Sequence, residues 1–216
     1  MQAERIREAA ALATQAMCYA ELGDLANGER VARQAIAKSP GVPTRYLYAL
    51  AQVQLAKGRL AEARATGTEI LKGALPADNP DRTEDKAAAY IRGLAFLKEG
   101  KPQEARDEFS RAVSLSGYEY SVYRLGLARA YLQTAAHADA LASVKQAAAP
   151  APDPLKPRLD LQLDRVRAGL IEAEIDKAMG RGADAAALAK TFLEAWKRAD
   201  ANVADVGQAR RLAGLP

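Results

Sequence analysis

The sequence predicts an all-α fold, built from antiparallel helix hairpins that stack on one another as a solenoid. Three observations carry this expectation. First, the breaks Gly23-Asp24, Gly58-Arg59 and Gly100-Lys101 interrupt apolar-periodic stretches at intervals of 35 and 42 residues, and a fourth break near Ala135-Ala136-His137 follows after another 35. Second, small residues recur around the breaks: seven before stand Ala16, Ala51, Gly93 and Ala128, five after Gly28, Ala63, Ala105 and Ala140, and twelve after Ala35, Ile70, Ala112 and Ala147. Third, Tyr19, Gln54, Phe96 and Tyr131 stand four residues before the breaks, so three of these four positions are aromatic. A fixed period of this kind marks an array of supersecondary units, none of which buries its apolar face alone.

The composition suits such an array. Of 216 residues, 49% are hydrophobic and 27% charged, which is the balance of an ordinary folded domain. Alanine dominates the apolar fraction and aromatics make up only 6%. Alanine costs little entropy to hold helical, and its small side chain lets helices approach closely. Stability is then expected from many shallow contacts. The net charge is +4, but acidic and basic residues are mixed along the chain with no long run of one sign, so no nucleic-acid-binding tail is expected. No apolar run is long enough for a membrane span. The first residues, Met1 to Glu8, carry charges where a signal peptide needs an apolar core. This slightly favours the cytoplasm, although a processed periplasmic form remains open. The single cysteine, Cys18, rules out an intrachain disulfide and leaves both a reducing cytosol and a disulfide-free periplasm open. It falls in an apolar helical stretch, and burial as a small hydrophobe is the expectation.

Taken along the chain, each of the first four units reads as a helix, a tight turn and an antiparallel partner helix. A small residue on each helix lets the backbones close up, an aromatic one turn further along fills the space beside them, and the turn glycine ends the first helix in a left-handed conformation. Seven extra residues between the second and third units fall within 73–85, where Pro76, Asn79 and Pro80 predict a surface loop, with a helix start near Thr83. This insertion is either a tolerated loop or a lip beside a groove. The fourth turn has Ala135, Ala136 and His137 in place of glycine, which predicts either a looser turn or longer helices. His137, the only histidine, reads as a surface turn residue.

The four units occupy residues 1–150. Pro150, Pro152, Pro154 and Pro157 then forbid a helix, and 151–157 reads as a stiff linker. The C-terminal region, 158–216, predicts a helix from Arg158 to Met179, a break at Gly180-Arg181-Gly182, a second helix capped by Asp184 and running to about Arg198, and a short last helix from Val203 to Leu212. This region is either a degenerate fifth hairpin that caps the array or an oligomer or partner interface. Trp196 and Phe192 are its candidate interface residues.

The pattern of small residue, aromatic and glycine on the first helix and turn, followed by small residues on the second, resembles the tetratricopeptide repeat. Pro40 closes the first unit where that family places its proline, Pro76 comes one residue late, and Gly117 and Pro152 take the role in the third and fourth. The best single match is Gly93 to Gly100 followed by Ala105, Phe109 and Ala112; the weakest is the second unit, with Gln54 and Gly67. The resemblance covers about residues 8–152. It implies a right-handed superhelical solenoid whose first helices line a concave, peptide-binding face. At the family's groove offsets stand Arg45, Tyr48, Gln52 and Leu55 in the second unit, Tyr90, Leu94, Leu97 and Lys98 in the third, and Leu125, Arg129 and Leu132 in the fourth. The first unit offers Ala13, Met17 and Glu21.

Tyrosine at such a face buries large area at modest entropy cost, and arginine grips carboxylates through paired hydrogen bonds. A helix or extended segment with a few acidic groups is the expected guest. The basic and asparagine cluster with which some family members hold a chaperone's C-terminal carboxylate is absent, because Met17, Gln52, Leu94 and Arg129 stand at corresponding positions. The same Leu and Tyr side chains are also suited to packing within the chain itself, against its second helices or its tail. The sequence contains no phosphate-cradling glycine loop, no metal-ligand cluster and no catalytic constellation. The expectation is therefore a non-enzymatic scaffold for a protein or peptide partner, with no cofactor and no nucleic acid. A homo-oligomeric structural protein assembled through its C-terminal helices is the alternative. The alanine-rich composition suits bacterial assemblies.

Overall fold

The computed structural model describes residues 2–39, 44–79, 82–115, 120–149, 159–199 and 203–215, and among them the chain forms eleven α-helices and no strand. In the first unit, Met1–Glu119, these are α1 (Gln2–Leu22), α2 (Leu25–Lys38), α3 (Thr44–Ala56), α4 (Leu60–Lys72), α5 (Glu84–Lys98) and α6 (Pro102–Ser114). In the second unit, Tyr120–Pro216, they are α7 (Ser121–Gln133), α8 (His137–Ala148), α9 (Leu159–Ala178), α10 (Gly182–Ala195) and α11 (Ala204–Leu212). The closing residues Pro40, Gly117 and Pro152, the proline-rich stretch 151–157 and the side chain of Arg45 lie outside the described residues.

Every break in the sequence is a left-handed turn. Gly23, Gly58 and Gly100 have φ of 78°, 73° and 72°, a region that costs a side-chain-bearing residue roughly 1–2 kcal/mol. The fourth turn takes the same form without glycine. Ala135 sits at φ 57°, and the Ala136 N–H donates to the Tyr131 carbonyl at 2.9 Å, just as Arg59 donates to Gln54 and Lys101 to Phe96 at that distance. The predicted looser turn is therefore corrected: the hydrogen-bond frame of the hairpin holds Ala135 in the strained conformation. A fifth turn obeys the same geometry between α9 and α10, where Gly180 has φ 80° and Arg181 donates to the Asp176 carbonyl at 2.8 Å. Asp184, expected as the cap of α10, lies inside its first turn, where its charge faces the positive end of the helix dipole.

The small-residue columns are buried in all four sequence repeats, and in the fifth hairpin Ala173 and Ala185 take the same places at 0% exposure. Within each unit, a first helix packs on both helices of the hairpin before it: α3 on α1 and α2, α5 on α3 and α4, α9 on α7 and α8, α11 on α9 and α10. The cores follow this arrangement. Ala9, Ala13, Ala16, Val31 and Ala35 meet Tyr46 and Leu50, while Ala51, Ala63 and Ile70 meet Ile91 and Ala95. In the second unit Ala128, Ala140 and Val144 meet Ala168 and Ile171, and Leu170, Ala189 and Phe192 meet Val206 and Ala209. A close approach lies between α5 and α6, where a Cβ added at Gly93 would come within 2.6 Å of the Phe109 ring.

Ion pairs fix the register between neighbouring hairpins of the first unit. Glu29, six residues after its turn, meets Lys57 and Arg59, the residues on either side of the next turn; Arg59 Nη1 lies 3.2 Å from its carboxylate. Arg64, six residues after the second turn, meets Glu99 beside the third. The chemistry is equivalent but the charges are exchanged. Lys57, Arg33 and Arg59 together lower the Glu29 pKa from 4.5 to about 2. The insertion is tied down where it is described, because Arg82 holds Asp85 in the first turn of α5 and donates to the Leu75 carbonyl.

Cys18 is exposed, which corrects the expectation of burial. The buried stripe of α1 runs through Ala9, Ala13 and Ala16. Two further residues turn the helix by about 200° and carry Cys18 to the opposite side.

Candidate functional site

The first unit presents a face made by α3 and α5, two first helices in direct contact. Tyr48 and Tyr90 stand ten residues before their turns, and their rings stack at 6.5 Å with an interplanar angle of 17°. Tyr90 also leans on Phe109 of α6 at 5.7 Å, so an aromatic chain runs from this face into the hairpin core. Phe109 is completely buried and the two tyrosines half-buried. Offset stacks of this kind are worth about 0.5–1.5 kcal/mol beyond their area and hold the rings in place.

Around this pair, Gln52 and Leu94 are half-buried and Lys98 is exposed, while Leu55 is only 2% exposed and belongs to the core with Ile70 and Ile91. Met17 is half-buried on α1 and Glu21 exposed, while Ala13 is buried. What this face offers is therefore a firm apolar shelf of Tyr48, Tyr90 and Leu94, with an amide at Gln52 and a cation at Lys98.

In the second unit Leu125 is 6% exposed and packs in the core with Ala168 and Ile171 of α9. Arg129 of α7 is half-buried and faces a polar cluster that sequence reasoning did not pick out. Glu174 of α9 lies within its electrostatic reach, the Gln208 side chain of α11 lies close enough to favour the charged carboxylate, and Asp205 of α11 adds a like charge. Burial pushes the Glu174 pKa above the ordinary carboxylate value, Arg129 and Gln208 pull it back down, and Asp205 adds to the rise. Oε1 of Glu174 is buried without a hydrogen-bond partner. A signal for this cluster existed: Arg129 stands six residues before Ala135, and Glu174 six before Gly180. Carrying the period past the prolines would have found it.

Trp196 and Phe192 meet each other rather than standing clear. Their rings stack at 5.3 Å, Phe192 is 2% exposed, and the Arg167 guanidinium lies 5.7 Å above the Trp196 ring while its Nε binds Asp205 at 3.1 Å. No group of three or more His, Cys, Asp or Glu side chains arranged to hold a metal occurs among the described residues. No helix among them is long and apolar enough to cross a membrane.

A sequence model of the family described as "Tetratricopeptide repeat" matches residues 14–81, 81–121 and 92–154, which is more than half of the chain. Among solved structures, a thermophilic repeat protein of Thermus thermophilus is similar at a TM-score of 0.67 and 20% identity, over 100% of both chains. PilF of Pseudomonas aeruginosa is similar at 0.56 and 17% identity, over 98% of this chain and 89% of that one. A repeat protein of Parabacteroides merdae follows at 0.50 and 17%, over 96% of this chain and 74% of that one. At these identities the likeness is one of fold. No curated protein matches the chain.

Proposed function

Because the chain belongs to the tetratricopeptide repeat family, we propose that it is a non-enzymatic scaffold that captures a protein or peptide on the α3–α5 face of its first unit. The observation that carries this reading is the Tyr48–Tyr90 stack, held by Phe109 beneath it and flanked by Gln52, Leu94 and Lys98. Pre-positioned aromatic rings bind a guest without first losing their own freedom, and that saved entropy appears as affinity. Leu55 and Leu125 then support the helices from inside rather than touching the guest. Lys98, exposed near the end of α5, suits a guest with acidic groups.

The decisive experiment places a photo-crosslinking phenylalanine analogue at position 48 or 90 and, as control, at the exposed Arg33. Extracts of the source cells should give a discrete crosslinked partner from the first two positions and none from the third. Tyr48→Ala with Leu94→Asp should lose capture by the full-length chain while helicity is kept. Equal capture from all positions, or capture unchanged in the double variant, rejects the face as the site. Self-association through Trp196 and Phe192 finds less support, since Phe192 is closed off inside the chain.

A further inference from the structure

In the second unit α9 packs directly on both α7 and α11, and these three helices make a face of their own. Its chemistry is the reverse of the α3–α5 face. Six residues before their turns, α1, α3 and α5 carry Met17, Gln52 and Leu94. At the same offset, counting α11 from Gly214 with its φ of 70°, the second unit carries Arg129, Glu174 and Gln208. Three residues before the turns, Ala20, Leu55 and Leu97 of the first unit are replaced by Leu132, Lys177 and Arg211. Offsets of three and six fall on one side of a helix. Leu125 and Leu170, ten before their turns, are buried, whereas Tyr48 and Tyr90 at that offset are half-buried. Charge therefore takes the place that the aromatic shelf holds in the first unit.

Two groups at the centre of this face are unsatisfied. Arg129 is half-buried and makes no ion pair or hydrogen bond among the described residues, and Oε1 of Glu174 is enclosed without a hydrogen-bond partner. The two charges attract each other between α7 and α9 without closing into an ion pair. A charge drawn out of water and left unpaired is costly. The neighbours do not relieve it. Asp205 of α11 repels the Glu174 carboxylate and is itself held by Arg167 Nε at 3.1 Å, and Gln208 is neutral. Helices α8 and α10 also pack on α9, and among the described residues neither brings a charge that acts on this carboxyl. Lys177 and Arg211 are exposed on the same side. With Asp205 and Arg167 cancelling, the face holds the cations Arg129, Lys177 and Arg211 against the single anion Glu174.

An anionic group arriving at Arg129 would pair the guanidinium and at the same time repel the Glu174 carboxylate behind it. A proton on Glu174 removes that repulsion and leaves the enclosed carboxyl neutral, the form that burial favours. Anion binding and protonation of Glu174 thus assist each other, and the assistance is reciprocal.

We propose that the α7–α9–α11 face takes an acidic segment of a partner polypeptide, seats one of its anionic groups on Arg129, and takes up a proton on Glu174 as it does so. Lys177 and Arg211 meet further acidic groups of the same segment. The site is separate from the α3–α5 face, and either can fail without the other. Affinity is highest below the titration of Glu174 in the free protein, falls as pH rises through the free and then the bound value, and is lowest above both.

The probe is a short peptide of cysteic acids, acetylated and amidated at its ends, whose sulfonates stay ionised so that only the protein titrates. It is added to the full chain at low ionic strength, where screening is weak, and followed by amide shifts and calorimetry. Binding should strengthen about fivefold or more as pH falls across the Glu174 midpoint. That midpoint, read by carbon-detected NMR, should rise when the peptide saturates the site, and calorimetry in buffers of different ionisation heat should show proton uptake. Glu174→Gln should bind tightly and without this pH dependence. Arg129→Gln should weaken binding about tenfold or more at every pH, with helicity kept. The same peptide with serine in place of cysteic acid should not bind. Absence of binding at every pH, an affinity indifferent to pH, a pH dependence that persists in Glu174→Gln, or binding undiminished in Arg129→Gln would each overturn the proposal.

Discussion

Substituting alanine for Gly93 should destabilise the first unit, although alanine is the better helix former. Left to propensity alone, the change would stabilise an interior helical position by about 1 kcal/mol. The geometry opposes this. The new Cβ would lie 2.6, 2.7 and 2.8 Å from three carbons of the Phe109 ring, inside the roughly 3.4 Å at which carbon contacts become ordinary. The ring must retreat by close to 1 Å, yet Phe109 is fully buried and Tyr90 packs against it. Overpacking of this kind costs about 1–3 kcal/mol, and with Phe109 held from both sides the upper part of that range applies, so the net loss is expected at up to about 2 kcal/mol after the propensity gain. Phe109→Val should lose about 2–4 kcal/mol by itself, through the space it leaves over a glycine. The double variant recreates the Ala128 and Val144 combination of the fourth hairpin and should cost less than the two changes added, with a coupling of about 1–2 kcal/mol. Urea denaturation followed by far-ultraviolet circular dichroism measures all three. Additive losses, or a Gly93→Ala protein more stable than the parent, would refute the claim that glycine is there to admit the ring.

Three other perturbations have signs set by the structure. Glu29 titrates at about 2 when folded against 4.5 unfolded, so its contribution is fully present above the unfolded value and disappears as pH falls through the folded one. Glu29→Gln should therefore cost about 1–2 kcal/mol at pH 7, discounted for partial solvent screening, and almost nothing near pH 2, as read by denaturation across that range. Glu174 has the opposite sign: its folded pKa is raised, so the folded state holds its proton longer and stability declines as pH rises from the unfolded value through the folded one. Glu174→Gln should flatten that decline in calorimetric scans, and Arg129→Ala should move the Glu174 titration further up by carbon-detected NMR. Ala135→Gly should stabilise the second unit by about 1 kcal/mol, because glycine accepts φ 57° without strain; a lowered melting temperature would count against the strained-turn reading.

Much of this architecture can be read from alanine and glycine positions because the physics behind them is steric and local. Ala51, Gly93, Ala105 and Ala128 are small where two backbones close on each other, and all four are buried. The fifth hairpin was harder to see. The proline-rich stretch lengthens one interval to 45 residues, and Asp176 occupies the position that is aromatic in three of the first four units. Asp176 fills it by pairing with Arg181 at Nε, 3.1 Å away, a solution that no hydrophobic pattern announces. The candidate face was legible at Tyr48 and Tyr90 but less so at Leu55 and Leu125, because offset from the turn sets which side of a helix a residue occupies, while burial depends on how far the next helix reaches over it. Cys18 was misjudged because the stretch around it is apolar on more than one side.

The exchanged charges between neighbouring hairpins also bear on how such an array can be rearranged. Removing the second hairpin would set Glu29 against Glu99 and Lys101, so the anion that now bridges two cations would lose one of them to another anion. Duplicating that hairpin in tandem would set Arg64 against Lys57 and Arg59. Either edit leaves alanine packing untouched and is resisted by electrostatics alone, so the modules carry an address as well as a shape, and a gene that shuffles them must rewrite these few residues before the shuffled product stacks.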